Sequence, residues 1–165
     1  MSLCSLESTQ QTKATLNSIS QPTNEITFQF PRQVRWRDTD ASGFAHMAAY
    51  INWMEETEYA FLRARGLSVV LSDDKGRIGF PRWESELEIL TPVTLDEELL
   101  VSLRLSRLDG KLISYHFETI RVADKALVAV GQFTLACCRF PDADLPYAIL
   151  IPEWIEEKLL NSSEA

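Results

Sequence analysis

A segment with dense apolar periodicity, residues 46–66, constrains this chain more than any other stretch. Six side chains recur there at spacings of i, i+3, i+4, i+7, i+11 and i+14, which places them on one face of a helix. They are Tyr50, Trp53, Met54, Thr57, Phe61 and Ala64. Ile51 and Leu62 extend the apolar surface to a second face. Because a helix this apolar is unstable in contact with water, we expect other elements to enclose it.

The ends of this helix are also indicated by the sequence. Arg63 and Arg65 fall in the last turn, where positive charge suits the helix dipole. Gly66 is suited to the left-handed position that follows a helix, and Leu67 to the hydrophobic contact that accompanies it. We predict the first turn at residues 46–48.

Length and composition exclude several classes of protein. The 165 residues indicate one domain, and a composition 45% hydrophobic and 24% charged is ordinary for a globular protein. The net charge of −8 argues against nucleic acid as a partner, because phosphate binding needs a basic surface. Nothing approaches the roughly 18 apolar residues of a membrane span, so no membrane partner is expected.

The first 24 residues are rich in Ser, Thr, Gln and Asn, with one Lys and no Arg. They lack the pattern of a secretory signal, and we predict a mobile tail at 1–24 ahead of a domain at 25–160. The three cysteines, Cys4, Cys137 and Cys138, are odd in number. Neighbours on a strand point to opposite faces, so Cys137 and Cys138 are poorly placed for a mutual disulfide. We therefore expect a reducing, cytoplasmic location, and no spacing resembles a zinc site.

Strand-like alternation occurs in five segments: 25–36, 79–90, 97–108, 111–122 and 126–138. Pro31 in the first segment indicates an edge strand or a bulge, because Pro cannot donate to a ladder. Residues 68–79 are predicted to be a polar connection. A short amphipathic helix is predicted to run from Pro152, at a first-turn position, to Leu160. One strand, one long helix and four antiparallel strands define an α+β fold.

The turn at Asp109-Gly110 tests the strand register. A two-residue loop there would pair Leu103 with His116, and apolar residues would face polar ones along the whole ladder. A shift of one residue restores apolar pairs, so we predict a bulge, with Gly110 in the left-handed conformation. The loop at Asp124-Lys125 has the same conflict, and we expect the same solution.

This order of elements, with Thr39-Asp40-Ala41-Ser42-Gly43 before the helix, resembles the hotdog-fold acyl-CoA thioesterases of the 4-hydroxybenzoyl-CoA thioesterase type. The resemblance covers residues 26–138. It also rests on Tyr50, seven residues beyond the Gly, and on a Glu-rich helix that ends in Arg-x-Arg-Gly-Leu. It implies a curled antiparallel sheet wrapped round one long central helix, in subunits that pair as a homodimer or homotetramer with active sites at their interface.

The resemblance implies that Asp40 is the catalytic carboxylate. It either attacks the thioester carbonyl or activates a water, while the backbone N–H of Met47 binds the carbonyl oxygen. Substrate contacts are expected from Gly43, Tyr50 and Arg82. No metal or redox cofactor is implied, because coenzyme A enters as part of the substrate.

Two positions depart from the family pattern. Met47 stands where many members have His or Tyr, and Ala49 stands where many have Asn. A non-catalytic acyl-thioester-binding or scaffolding protein is therefore the alternative reading. A hotdog dehydratase ranks third, because His46 alone would have to supply its catalytic His.

Each candidate residue also has a structural interpretation. Asp40 suits a turn or helix cap as well as catalysis, and Asp38 is a competing carboxylate. His46 is equally suited to proton transfer and to binding loop carbonyls. Some hotdog thioesterases place a Glu of the helix in the active site of the partner subunit. Glu55 and Glu56 are more typical of solvated helix positions.

The predicted register argues against a Cys–His nucleophile. It places His116 opposite about Thr134, about 13 Å along the strand from Cys138 at ~3.3 Å per residue, with Cys137 on the other face. Trp36, Trp53, Trp83 and Phe80 suit an acyl pocket, although core packing is expected for most of them. Four arginines are candidates for the phosphates of coenzyme A. They are Arg63, Arg65, Arg82 and Arg139.

Overall fold

The computed structural model describes residues 27–161, so the predicted tail at 1–24 and Cys4 lie outside the described residues. Within this range the chain forms nine strands, a 3-10 helix and two α-helices. The strands are β1 Thr27–Gln33, β2 Leu71–Asp73, β3 Gly76–Gly79, β4 Arg82–Ile89, β5 Glu98–Asp109, β6 Leu112–Arg121, β7 Leu127–Ala136, β8 Cys138–Phe140 and β9 Tyr147–Ala148. The helices are the 3-10 helix Trp36–Asp38, α1 Met47–Ala64 and α2 Glu153–Leu160.

The larger sheet is antiparallel, with strand order β1-β5-β6-β7-β4. β1 is at its edge, as Pro31 predicted, and pairs only with β5 among the described strands. Helix α1 packs on one face of this sheet. The ring of Phe61 packs edge-to-face against those of Phe28 in β1 and Tyr115 in β6, with ring centroids 5.9 Å apart in each pair. The predicted antiparallel sheet with a helix against it is confirmed, and that helix is 18 residues long.

Gly131 of β7 allows α1 to approach the sheet closely. A Cβ atom there would lie 2.6 Å from Met54 Cε and 3.0 Å from the backbone oxygen of Glu86. Real Cβ atoms essentially never come as near as the first distance, so a side chain at 131 would displace the flexible end of Met54 and crowd the backbone of Glu86 in β4.

The bounds of α1 agree with the sequence pattern. His46 is the N-cap, Gly66 has φ +65°, and the Leu67 N–H donates to the Leu62 oxygen at 2.9 Å, which closes the helix. Two positions differ from the prediction. Ala64 is exposed, because it lies in the last turn beyond the sheet, and Glu58 is buried although the pattern had not included it.

The register of β5 and β6 confirms the predicted shift. Leu103 faces Phe117 and Leu105 faces Tyr115, so apolar residues pair across the ladder. The irregularity lies between Leu105 and Arg107, several residues before the turn, and Gly110 has φ +60°. The bulge is therefore in the strand rather than in the loop.

The second loop adopts the same solution. Lys125 takes the left-handed conformation with φ +61°, and the pairing of β6 with β7 shifts between Thr119 and Ile120. Here a non-glycine residue accepts the strained conformation, which the sequence did not indicate.

A second, four-stranded sheet with order β2-β3-β8-β9 was not predicted. Residues 68–79 contain β2 and β3, so they are not a plain connection. The last predicted strand, 126–138, in fact ends at Ala136, and Cys138 begins β8 in the second sheet. Arg139 fixes the hairpin, with Nη2 2.9 Å from Asp73 Oδ2, and its hydrogen bonds lower the pKa of Asp73 to about 2.

The C-terminal helix is confirmed, with Pro152 as its N-cap, one position before the first turn. Ile155 and Leu159 bury its apolar side. Lys158 donates to the Gly66 oxygen at 3.0 Å and so ties α2 to the end of α1. No helix within residues 27–161 is long and apolar enough to cross a membrane.

Candidate functional site

The segment between β1 and α1 is built around a buried carboxylate. Asp38 is 7% exposed, and its Oδ2 accepts the Arg35 N–H at 2.8 Å. Its backbone oxygen accepts the His46 N–H at 2.9 Å, which joins the 3-10 helix to the start of α1. Asp38 was expected on an extended segment beside Asp40, but it lies in the 3-10 helix and acts as a structural support.

Asp40 lies in a turn two residues further along, and its side chain is exposed. Its Oδ1 accepts the Ser42 N–H at 2.7 Å and also the Ser42 hydroxyl. The hydrogen bond from that hydroxyl, together with the one from the backbone, lowers the pKa of Asp40 below its usual value. His46 adds a smaller electrostatic contribution in the same direction. The carboxylate is therefore ionised at neutral pH, and one oxygen remains available to a ligand.

Ser42, which the sequence indicated only as part of the motif at 39–43, is the residue that holds the Asp40 carboxylate. Its spacing of two residues from Asp40 is the signal of an Asx-type turn, which could have identified it. Gly43 completes this turn with φ +82°, and its N–H donates to the backbone oxygen of Asp40 at 3.0 Å. Its predicted contact with substrate stays a prediction, while its role in shaping the turn is observed.

Both ring nitrogens of His46 have partners in the described structure. Nδ1 accepts the Ala49 N–H at 3.0 Å, so the proton of a neutral ring belongs on Nε2. Nε2 lies 3.2 Å from the backbone oxygen of Arg37, a matching acceptor. These contacts fit the structural interpretation of His46, and its part in proton transfer stays a prediction.

Met47 is the first residue of α1, and its side chain is 66% exposed. Its N–H and that of Ala48 find no acceptor within residues 27–161, as expected for a first helical turn. Such donors, with the positive end of the helix dipole behind them, can bind a carbonyl oxygen that gains negative charge.

Two predicted substrate-binding residues lie away from this loop surface. Tyr50 is only 1% exposed, with its ring 4.9 Å from that of Trp53, and burial raises the pKa of its hydroxyl. Arg82 lies on β4 and forms ion pairs with Glu55 and Glu58 of α1. Tyr50 is thus part of the core, and Arg82 has internal partners. A contact of either residue with substrate stays a prediction.

Two of the other three candidate arginines also have partners within the protein. Arg65 donates to the Asn161 oxygen, and Arg139 binds Asp73. Arg63 is exposed on the last turn of α1. Among residues 27–161 no group of three or more His, Cys, Asp or Glu side chains is arranged to hold a metal ion.

The register corrects the earlier placement of the Cys–His pair. His116 faces Gln132, not Thr134, which places it further from Cys138 than predicted. Both Cys137 and Cys138 are free, as expected, and both are buried. Burial raises the pKa of Cys137 to about 11, so its thiolate is scarce at neutral pH. The structure thus gives a second argument against a thiol nucleophile.

The aromatic candidates divide differently from the prediction. Trp53 is buried in the core, whereas Trp36 and Trp83 are 80% and 77% exposed, so core packing holds for only half of the four. Trp36 and Trp53 line a cleft of about 1220 Å³ between β1, the loop and α1, together with Asp38, His46 and Glu56. Phe80 is half-buried at the edge of the core.

Comparison with known proteins shows the family of this chain. Residues 34–159 match the thioesterase-like superfamily, and the chain belongs to that superfamily. A 1,4-dihydroxy-2-naphthoyl-CoA hydrolase of Synechocystis is 22% identical over 70% of this chain and 84% of its own length. The acyl-CoA thioesterase YbgC of Haemophilus influenzae is 26% identical over 63% of this chain and 79% of its own length.

A solved structure gives the fold independently of sequence. A 4-hydroxybenzoyl-CoA thioesterase variant in complex with 4-hydroxybenzoyl-CoA is similar with a TM-score of 0.70 at 13% identity. The match covers 82% of this chain and 99% of the other. The hotdog thioesterase fold is therefore established. Because the relatives are named for different acyl groups, the narrower 4-hydroxybenzoyl-CoA type is not singled out.

Proposed function

We propose that this protein is an acyl-CoA thioesterase, which hydrolyses an acyl-CoA, or the same thioester on an acyl carrier, to a free acid and a thiol. One observation carries the proposal: Ser42 holds an exposed, ionised Asp40 in the loop that leads into the open first turn of α1. Membership of the thioesterase-like superfamily supports it.

The chemistry follows from these two features. The Met47 N–H binds the thioester carbonyl oxygen and stabilises the negative charge that develops there in the transition state. Asp40 then acts in one of two ways. As a nucleophile, its oxygen bonds to the carbonyl carbon, the C–S bond breaks, the thiolate leaves, and water hydrolyses the mixed anhydride. As a general base, it takes a proton from a water that attacks the same carbon, after which the C–S bond breaks and the departing thiolate takes up that proton.

The finer assignments are proposals with their own support. The motif at residues 39–43 supports membership of the 4-hydroxybenzoyl-CoA type, with the sheet curled round α1. The relatives' names include an aromatic acyl group, which supports an aromatic substrate over a purely aliphatic one. We expect no metal or redox cofactor, and the free thiols of Cys137 and Cys138 support a cytoplasmic location.

We also propose a homodimer or homotetramer. The β4 strand pairs only with β7 among the described strands, so one edge of the larger sheet is open to a second copy. Asp40 and Met47 are exposed in the single chain, which suits a site that a partner subunit completes. Light scattering at micromolar concentration should give at least twice 18.8 kDa, and a fully active monomer would contradict the shared site.

The alternative is a protein that binds acyl thioesters without hydrolysing them. It is favoured by Met47 and Ala49, which replace side chains that many family members carry at the start of the helix.

A hydrolysis screen separates the two functions. Purified protein is incubated with aromatic, short aliphatic and long aliphatic acyl-CoAs, and the released thiol is measured with a thiol-reactive dye. Asp40→Asn is the matched control, because it keeps size and hydrogen bonding but removes the charge. Thiol release by the wild type that is lost in Asp40→Asn supports an acyl-CoA thioesterase. Tight binding in calorimetry without turnover of any acyl-CoA supports the binding protein.

A further inference from the structure

A buried charge network lies on the flank of α1 that faces β4. Arg82 of β4 places Nη2 2.8 Å from Glu58 Oε2 and Nη1 3.0 Å from Glu55 Oε1. Tyr59 donates its hydroxyl hydrogen to Glu55 Oε1 at 2.7 Å. One cation thus serves two carboxylates, and Glu58 is only 3% exposed. None of these groups takes part in the chemistry proposed above.

The charges in this network favour the uptake of one proton. Two carboxylates and one guanidinium carry a net negative charge when all are ionised, and burial disfavours that state. Burial raises the pKa of Glu58 to about 7, although Arg82 acts in the opposite direction. Tyr115 of β6 also faces Glu58, but burial raises its pKa well above the usual value, so it stays neutral. The remaining neighbour is Phe133 of β7, whose ring centroid lies 4.5 Å from the guanidinium carbon of Arg82. It has no titratable group.

The network is connected to the candidate site along the surface of α1. Met47, Ile51 and Glu55 follow one another at i, i+4 and i+8, so they form one oblique strip of neighbours that turns by about 40° at each step. Met47 is exposed and the other two are half-buried, which leaves the strip accessible to a ligand. Glu55 lies about 12 Å along the axis from Met47, at ~1.5 Å per residue. An acyl group that extends along this strip from a carbonyl at the Met47 N–H therefore approaches Glu55.

We propose that Glu58 and Arg82 are positioning residues that orient the Glu55 carboxylate toward the bound acyl group, with the charge of Glu58 deciding how firmly Arg82 holds it. This inference rests on the proposed function and deepens it. With Glu58 neutral, Arg82 pairs with Glu55 alone and fixes it. With Glu58 ionised, Arg82 is shared and Glu55 is held less firmly. Because Glu55 is remote from the reacting bond, the effect falls on KM rather than on kcat.

The test is the pH dependence of KM and kcat for the best acyl-CoA found in the screen. In the wild type, KM should rise about fivefold as the pH passes from mildly acidic to mildly alkaline, the low end of typical couplings between sites. Glu58→Gln keeps the shape and the hydrogen bond to Arg82 but carries no charge, so its KM should stay at the acidic value. The matched control is Glu157→Gln, which removes an exposed carboxylate of α2, at the end of α1 away from Met47. It should keep the wild-type profile.

Carbon-13 NMR of the Glu carboxyl groups in the wild type gives an independent measurement. Glu58 should titrate near neutral pH, and the Glu55 signal should shift in the same range. The inference is overturned if Glu58 titrates as an ordinary carboxylate, or if KM in a folded Glu58→Gln protein still rises with pH. A wild type that hydrolyses no acyl-CoA refutes the proposed function instead. The Kd of the same acyl-CoA, measured by calorimetry, then replaces KM with the same expectation for Glu58→Gln.

Discussion

Asp38 and Asp40 are separated by a single residue, yet the fold uses their carboxylates in opposite ways. The Asp38 side chain is buried and holds the Arg35 N–H, while its backbone holds His46. Asp40 is exposed, and only Ser42 binds its carboxylate among the described residues. An acid that is buried and binds a backbone N–H through one of its oxygens supports a loop. An acid that is held from one side, with the other side open, can react.

Among the variants that distinguish Asp40 from Asp38, Asp40→Asn should have the largest effect. Loss of the charge removes the nucleophile or base, so kcat should fall by about 10²–10⁴-fold, the range of a positioned general base. Because Asp40 is exposed, the melting temperature should change little. Thiol release and circular dichroism on the same preparation check both parts. Wild-type turnover in this variant would reject Asp40 as the catalytic group.

The second-largest effect should come from loss of the Met47 N–H, the proposed donor to the thioester carbonyl oxygen. Met47→Pro removes the N–H but keeps a residue that a first helical turn tolerates, so kcat should fall by roughly 10²–10³-fold. Met47→Ala keeps the N–H and should cost less than about tenfold, because an exposed side chain is lost without the donor. Pro also restricts His46, so melting curves must show an intact helix. Equal turnover in the two variants would exclude the backbone donor.

Asp38→Asn should affect stability more than chemistry. The amide oxygen can still accept the Arg35 N–H, but the charge-assisted bond becomes a neutral one, which costs about 1 kcal/mol. Chemical denaturation measures this loss, and kcat should fall less than in Asp40→Asn. A greater loss of turnover than in Asp40→Asn at unchanged stability would exchange the roles of the two acids.

The smallest effect is expected from Ser42→Ala. It removes the hydroxyl that contributes most to the lowered pKa of Asp40, so that pKa should rise toward its usual value. Activity requires the ionised form, so the acidic limb of kcat/KM should move to higher pH, while turnover at alkaline pH stays unchanged. A pH profile that does not move would show that the backbone N–H of Ser42 alone sets the charge of Asp40.

The sequence predicted what depends on periodicity and on local backbone chemistry. The bounds of α1, the apolar pairs Leu103 with Phe117 and Leu105 with Tyr115, and the conformation of Gly110 all follow from such rules. The pairing of β2 with β3 does not. These strands are short and contain Asp, Lys and Gly, so their alternation is too brief to be recognised, and Arg139 from a distant strand stabilises them.

The candidate site was predictable to a similar degree. Asp40, His46 and Met47 lie in one continuous segment, so a local motif brings them together. The burial of Glu58 was not predicted, because a glutamate within a helix is usually exposed to solvent. Its burial depends on Arg82, which is 24 residues away in the chain. The same long-range pairing explains why Arg82 has internal partners rather than a free guanidinium.

The two edges of the larger sheet differ in what they can join. Pro31 lacks an N–H, so the outer side of β1 offers an interrupted row of donors, whereas β4 contains no proline. If both edges could bind, copies would add one after another into a ribbon without an end. In the proposed dimer, β4 would pair with β4 of a second copy, and that pairing would use the same edge of both copies. The larger sheet would then end at two subunits.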